Sequence, residues 1–191
     1  MESEYSGIIK ISGDLIYLQN PDESHSSLYY ALASDSQLRY YSSDTPFRKV
    51  SIKNFIQIYL NQIMLPTENY LPFVVLDSET NEPVGQVHAG HIDRDNHNCM
   101  IGFEILPRFQ RRGYGTDAVE TLLDYLFFDM KMNRVGAEVY EYNTASRKVL
   151  EKLSFTLEGT LSKWLYRKGR YWDKLLFGML ESEWVNFYDH E

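Results

Sequence analysis

The segment Gln110-Arg111-Arg112-Gly113-Tyr114-Gly115 stands between a run that alternates like a strand and a run that repeats like a helix. Glycines let the backbone approach a ligand closely, and the first amides of a helix have no partner inside it, so such a junction favours an anion. A pyrophosphate suits it, with Arg111 and Arg112 either making charge-assisted contacts or remaining solvated, and with Tyr114, Gly115 and Thr116 opening the helix. The segment is not a Walker A loop, because no Gly-Lys-Ser/Thr follows, and it does not complete Gly-x-Gly-x-x-Gly.

Glu104 is a carboxylate in an otherwise apolar strand. Desolvation would raise its pKa toward that of a general base, and a salt-bridged or solvent-facing glutamate is the rival reading. Glu138 is a weaker candidate of the same kind. His88, His91 and His97 cluster, but residues three apart in a strand point to opposite faces, so structural or substrate-facing histidines are expected and no metal site. Cys99, the single cysteine, reads as a small apolar strand residue and leaves no internal disulfide. Trp164, Tyr166, Tyr171 and Trp172 read as packing residues of a hairpin.

Positioning these groups takes a mixed sheet. Asp14 to Leu18 reads as a first strand, Asp22 to Ala33 as a weak helix, and Ile52, Phe55, Ile56, Tyr59 and Ile63 as one face of a helix capped by Ser51 and closed off by Pro66 and Pro72. Phe73 to Leu76 and Val84 to Ile92 form a hairpin, and Met100 to Leu106 alternates as an antiparallel strand. Val119, Leu122, Leu123, Leu126 and Met130 mark a helix opening near Thr116, and Val135 to Tyr140 is a strand. Strand, helix and strand then make a crossover with parallel strands. A helix over Thr144 to Leu153 and strands Phe155 to Trp164 and Tyr171 to Leu180 complete an α/β (α+β) fold, mostly antiparallel, with helices on both faces.

The chain of 191 residues, 43% hydrophobic and 24% charged, suits one globular domain over 1–191. A net charge of -8 has the wrong sign for a phosphate-backbone binder, so a cationic or amine partner is expected and no nucleic acid. No apolar run reaches the ~18 residues of a membrane span, and the polar start MESEYSGIIK does not read as a signal peptide, so a cytoplasmic protein with no membrane partner is expected.

Gln110, Gly113 and Gly115 match the Gln/Arg-x-x-Gly-x-Gly/Ala pyrophosphate motif of the GCN5-related N-acetyltransferases (GNAT superfamily), which the chain resembles. Ile101-Gly102-Phe103-Glu104, Asn143-Thr144-Ala145-Ser146, Glu151-Lys152-Leu153-Ser154-Phe155 and Glu158-Gly159-Thr160 look like the ribosomal-protein-alanine and spermidine acetyltransferase branch. The resemblance covers Pro83 to Trp184. It implies acetyl-CoA as cosubstrate in a gap between two splayed parallel strands, no metal, and direct attack by a primary amine, either a protein N-terminus or a small polyamine. It further implies a Leu106 amide on the thioester carbonyl, Glu104 as base and Ser146 at the CoA sulfur, where a helix-turn serine bonding the backbone is the rival reading. Asn143 reads as a pantetheine contact or a helix cap, and the two are compatible. The chain departs from the family at Leu150, where many relatives carry a tyrosine acid, and at Ser154, where they carry glycine. Leu150 motivates an alternative, a non-catalytic acyl-CoA-binding regulatory module. Relatives are often oligomeric, which makes a homodimer possible.

Overall fold

The computed structural model describes residues 9–60 and 64–188, so Ile63 and most of the polar start lie outside the described residues. Eight strands form one sheet in the order β1-β2-β3-β4-β5-β6-β8-β7. They are β1 (Lys10–Ser12), β2 (Ile16–Gln19), β3 (Tyr70–Asp77), β4 (Pro83–Asp93), β5 (Asn98–Ile105), β6 (Arg134–Tyr140), β7 (Thr156–Arg167) and β8 (Arg170–Leu180). Among the described residues β5 and β6 are the parallel pair, and every other neighbouring pair is antiparallel.

The helices are α1 (Ser26–Ser34), α2 (Ser36–Ser42), α3 (Ile52–Ile58), α4 (Tyr114–Asp124), α5 (Thr144–Lys152) and α6 (Glu181–Tyr188). Helix α4 buries Ala118, Val119, Leu122 and Leu123 and runs on through one wider-wound stretch, Tyr125–Asp129, that buries Leu126 and Phe127. The helix after Ser51 forms as expected, with the Ser51 hydroxyl accepting from the Asn54 amide at 3.3 Å. Helices α2 and α4 lie on opposite faces: Arg39 of α2 reaches Glu104, whereas a Cβ at Gly115 of α4 would lie 3.5 Å from Ile105.

Three differences from the sequence reading have physical causes. Pro72 sits inside β3 rather than before it, and this is tolerated because β2 pairs with β3 only from Val74 onward, leaving a strand on one side at Pro72. Helix α2, missed for want of an apolar stripe, is begun by Asp35, whose carboxylate accepts from the amides of Gln37 and Leu38 at 2.8 and 2.9 Å. Helix α6 packs through Trp184, fully buried with its Nε1 donating to Asp124 at 2.9 Å. No helix among the described residues is long and apolar enough to cross a membrane.

Candidate active site

The parallel ladder joins Asn98 to Arg134 and ends at Ile101 and Ala137, although β5 continues to Ile105 and β6 to Tyr140. The strands part there, and the gap opens a cleft of about 530 Å³ through the sheet. Leu106 donates its amide to Val84 at 2.9 Å, which fixes the alternation of the β4–β5 ladder. Phe103 and Ile105 therefore aim their backbone groups at the side β6 has left.

That bond corrects one expectation. The Leu106 amide is already used, and Leu106 lines a separate hollow with Leu28, Ala31, Pro83 and Pro107. The amides free at the gap belong to Phe103 and Ile105, both of which line the cleft.

On the α4 side, Gln110 ties the loop to the strand, its Nε2 donating to the Ile105 carbonyl that the splay exposes, at 2.9 Å. The chain then turns through Arg111 (φ 61°) and Gly113 (φ 91°), and the second turn requires glycine because a Cβ there would also lie 2.9 Å from Leu15. Among the described residues, no short hydrogen bond within the protein is donated by the amides of residues 113–115, so the positive end of α4 offers unpartnered donors beside the cleft. Arg111, Gly113, Gly115 and Thr116 line it. The side chains of Arg112 and Tyr114 do not: Arg112 lies 5.8 Å from the Phe109 ring, and the Tyr114 hydroxyl donates to Asp77. Asp117, one turn further along, accepts from the amides of Asp14, Leu15 and Ile16 at 3.1, 2.7 and 3.0 Å and so fixes α4 to the β1–β2 turn.

Helix α5 forms the opposite wall. Asn143 is a helix cap, its Oδ1 accepting from Ser146 at 3.2 Å, and its Nδ2 donates to the Tyr41 carbonyl at 3.3 Å. The Ser146 hydroxyl lines the cleft without a protein partner among the described residues. Lys148 lines it too, without a carboxylate partner among the described residues, and was missed in the sequence; Ala145, Lys148 and Val149 share the i, i+3, i+4 face that starts from the cap. Leu150, in place of a tyrosine, is fully buried in the core. Ser154 holds φ 63°, the left-handed turn that glycine normally supplies.

Helix α2 roofs the cleft with Gln37, Leu38, Tyr41 and Ser42. Its terminal carbonyls are held from across the gap: Arg167 donates to Tyr40 and Ser43, and the Tyr142 hydroxyl donates to Tyr40 at 2.7 Å. Under this roof Glu104 is nine-tenths buried; its Oε2 accepts from Gln86 at 2.5 Å and its Oε1 has no hydrogen-bond partner. Cationic Arg111 and Lys148 thus stand by the α4–α5 wall and a carboxylate stands under α2.

The remaining candidates lie elsewhere. Glu138 bonds Lys174 at 2.8 Å. Burial pushes the Cys99 thiol up to about 12, which leaves it a neutral packing group. Of the four hairpin aromatics, Trp172 packs edge-on to Tyr142 at 4.9 Å, but Trp164, Tyr166 and Tyr171 are more than half exposed, contrary to the packing role expected for them. Among the described residues no three His, Cys, Asp or Glu side chains gather in a metal-binding group.

A splayed parallel pair, an anion-receptive loop and a carboxylate beneath a helical roof meet in this one cleft. A family model described as an acetyltransferase (GNAT) domain matches residues 16–156, and the chain belongs to that family of N-acetyltransferase enzymes, which use acetyl-CoA. It is 34% identical over 153 residues to the uncharacterized N-acetyltransferase p20 of Bacillus licheniformis, covering 80% of this chain and 85% of that one. Over 114 residues it is 26% identical to spermidine N(1)-acetyltransferase of Vibrio cholerae, covering 60% and 65%. The crystal structure of spermidine N-acetyltransferase from Vibrio cholerae in complex with CoA and spermine shares the fold at TM-score 0.80 and 20% identity, over 90% of this chain and 99% of that one.

Proposed function

We propose that the protein transfers acetyl from acetyl-CoA directly to a primary amine, with donor and acceptor meeting in the β5–β6 gap. The observation that carries this reading is the division of one cleft between unpartnered amides and cations at the α4–α5 wall and a half-satisfied carboxylate under α2. The amides of residues 113–115, with Arg111 and Lys148, suit a pyrophosphate; the Phe103 and Ile105 amides suit an extended amide-bearing arm and its terminal carbonyl. Bound acetyl-CoA supplies an activated thioester. Glu104 removes a proton from the incoming ammonium, which frees the nitrogen lone pair, and the Ser146 hydroxyl donates toward the leaving sulfur. The acceptor reading, a protein N-terminus or a small polyamine, is supported at the level of a primary amine by the carboxylate of Glu104 beneath α2, one oxygen of which has no hydrogen-bond partner.

The test is release of CoA thiol against polyamines, aminoglycosides, free amino acids and short peptides beginning with Ser, Ala or Thr. Saturable release with one class supports the reading and names the acceptor. Tight acetyl-CoA binding without release would favour the regulatory module, to which the loss of a tyrosine at Leu150 points. A homodimer belongs to the same proposal and is tested by sedimentation.

A further inference from the structure

Among the described residues, Tyr41 is the tyrosine that lines the cleft. It shares one face of the roof helix α2 with Leu38 and Ser42, at the i, i+3, i+4 spacing. Its hydroxyl has no hydrogen-bond partner among the described residues and is not one of the buried unpartnered atoms, so water reaches it. The hydroxyls of Tyr142 and Tyr114, by contrast, are taken up by the Tyr40 carbonyl and by Asp77.

The backbone that carries Tyr41 is fixed from across the cleft. Arg167 donates to the carbonyls of Tyr40 and Ser43, one on either side, and Asn143 Nδ2 donates to the Tyr41 carbonyl at 3.3 Å. The same Asn143 accepts from the Ser146 amide at 3.2 Å, so one side chain ties the end of α2 to the first turn of α5. Tyr41 and Ser146 therefore line one cleft from two helices pinned together at Asn143. A side chain held in this way is ready for a reaction step without a change of backbone.

We propose, resting on the acetyltransferase reading above, that Tyr41 is the acid that protonates the departing CoA thiolate. Leu150, fully buried, has no proton to give. The Ser146 hydroxyl can hydrogen-bond the sulfur, but an alcohol is a far weaker acid than a thiol and keeps its proton, whereas a phenol is close to a thiol in strength. The amine nitrogen, freed of one proton by Glu104, bonds to the thioester carbonyl carbon. As the intermediate collapses, the carbon–sulfur bond breaks with its electron pair on sulfur, and the Tyr41 proton passes to the sulfur to give the thiol. The new amide nitrogen sheds its surplus proton to water, the phenolate takes one back from water, and Glu104 releases its own. The protein ends as it began, with one proton released for each ammonium acetylated. The charged and titratable groups around Tyr41 are Tyr40 and Tyr142, whose rings lie 5.3 and 5.8 Å away, Arg167 and Lys168 against the Tyr40 ring, and Glu104, Arg111 and Lys148 along the cleft.

Tyr41→Phe keeps the ring and removes the proton. Its kcat with acetyl-CoA and an accepted amine is expected to fall by about 10²-fold with the KM for acetyl-CoA retained. The alkaline limb of the kcat–pH profile reports loss of the proton from the acid. That limb is expected to vanish in Tyr41→Phe and to persist in Lys148→Met, which removes the other cleft side chain able to supply a proton near α5. A lowered kcat with the limb intact would make Tyr41 a packing residue and overturn the assignment, and so would a limb that disappears with Lys148→Met instead. Calorimetric titration with acetyl-CoA checks that each variant is folded. Wild-type kcat and pH profile in a folded Tyr41→Phe would overturn the role of Tyr41 alone, whereas absence of turnover in the wild-type protein would overturn the acetyltransferase reading and this role with it.

Discussion

Arg39 Nη1 lies 3.7 Å from Glu104 Oε1, one from the roof helix and one from the strand beneath it. That is near enough for attraction and too far for a hydrogen bond, so the carboxylate is held in place while one oxygen stays without a hydrogen-bond partner. The Gln86 bond on the other oxygen completes the restraint. Glu104→Gln keeps the shape and removes the proposed base. Its kcat should fall by about 10²-fold or more near neutral pH with acetyl-CoA affinity retained. The deficit should shrink as pH approaches the acceptor's own pKa, because free amine then arrives from solution. A pH–rate profile identical to wild type would remove Glu104 from the chemistry.

The two loop glycines should separate folding from binding. Gly113 is demanded by its own backbone, φ 91°. Gly115 is not: a Cβ there meets Ile105 and Phe103 at ordinary distances of 3.5 and 3.9 Å. Gly115→Val is therefore expected to melt close to wild type and to lose acetyl-CoA affinity by about tenfold or more, roughly 1.4 kcal/mol. Calorimetric titration with acetyl-CoA decides; unchanged affinity would mean the loop does not hold the pyrophosphate.

Arg167 bridges the cleft by holding the C-terminal carbonyls of α2. Arg167→Met removes these charge-assisted bonds and should cost about 2 kcal/mol. It should also raise the hydrogen exchange of α2 amides and the KM values of both substrates. Wild-type exchange in α2 would show that the roof is held by packing alone.

Asp77 is held down to about 2, first by the hydrogen bond from the Tyr114 hydroxyl and then by the amide and hydroxyl of Thr80. Its folded pKa lies below the unfolded value of 3.8, so the stability it contributes is present above that value and is lost as pH falls toward 2. Asp77→Asn should flatten this part of the acid-unfolding curve and leave its remainder unchanged. An unaltered curve between those limits would contradict the assignment.

Ser154 occupies the left-handed turn after α5, with its amide donating to Glu151 at 3.1 Å and that of Phe155 donating to Leu150 at 2.9 Å. Ser154→Gly should stabilise the protein by about 1 kcal/mol, a rise in Tm of roughly 2–4 °C, without altering kcat. A lower Tm would contradict this.

Legibility in the sequence followed the physics of each signal. Strands β3 to β6 and helix α4 were readable because alternation and the 3.6-residue repeat are strong where one face is buried, as at Ile101 and Ile105 or at Val119, Leu122 and Leu123. Gly113 and Gln110 were readable as a loop, but not the bond from Gln110 to the Ile105 carbonyl, which exists only because β6 departs there. The roof was invisible because α2 is held by an Asp35 cap and by Arg167, a residue 124 positions from its Ser43 acceptor. The Leu106 amide was misassigned because whether an amide is free depends on strand register, which periodicity does not reveal.

Direct transfer in the gap requires donor and acceptor to be bound together, and the thiol of Cys99, with its pKa pushed up to about 12 by burial, offers no nucleophile for a covalent detour. Initial rates with acetyl-CoA and the acceptor both varied test this most directly. Intersecting double-reciprocal lines are expected, from one complex holding both substrates. Parallel lines, with acetylated protein accumulating in the absence of acceptor, would contradict it.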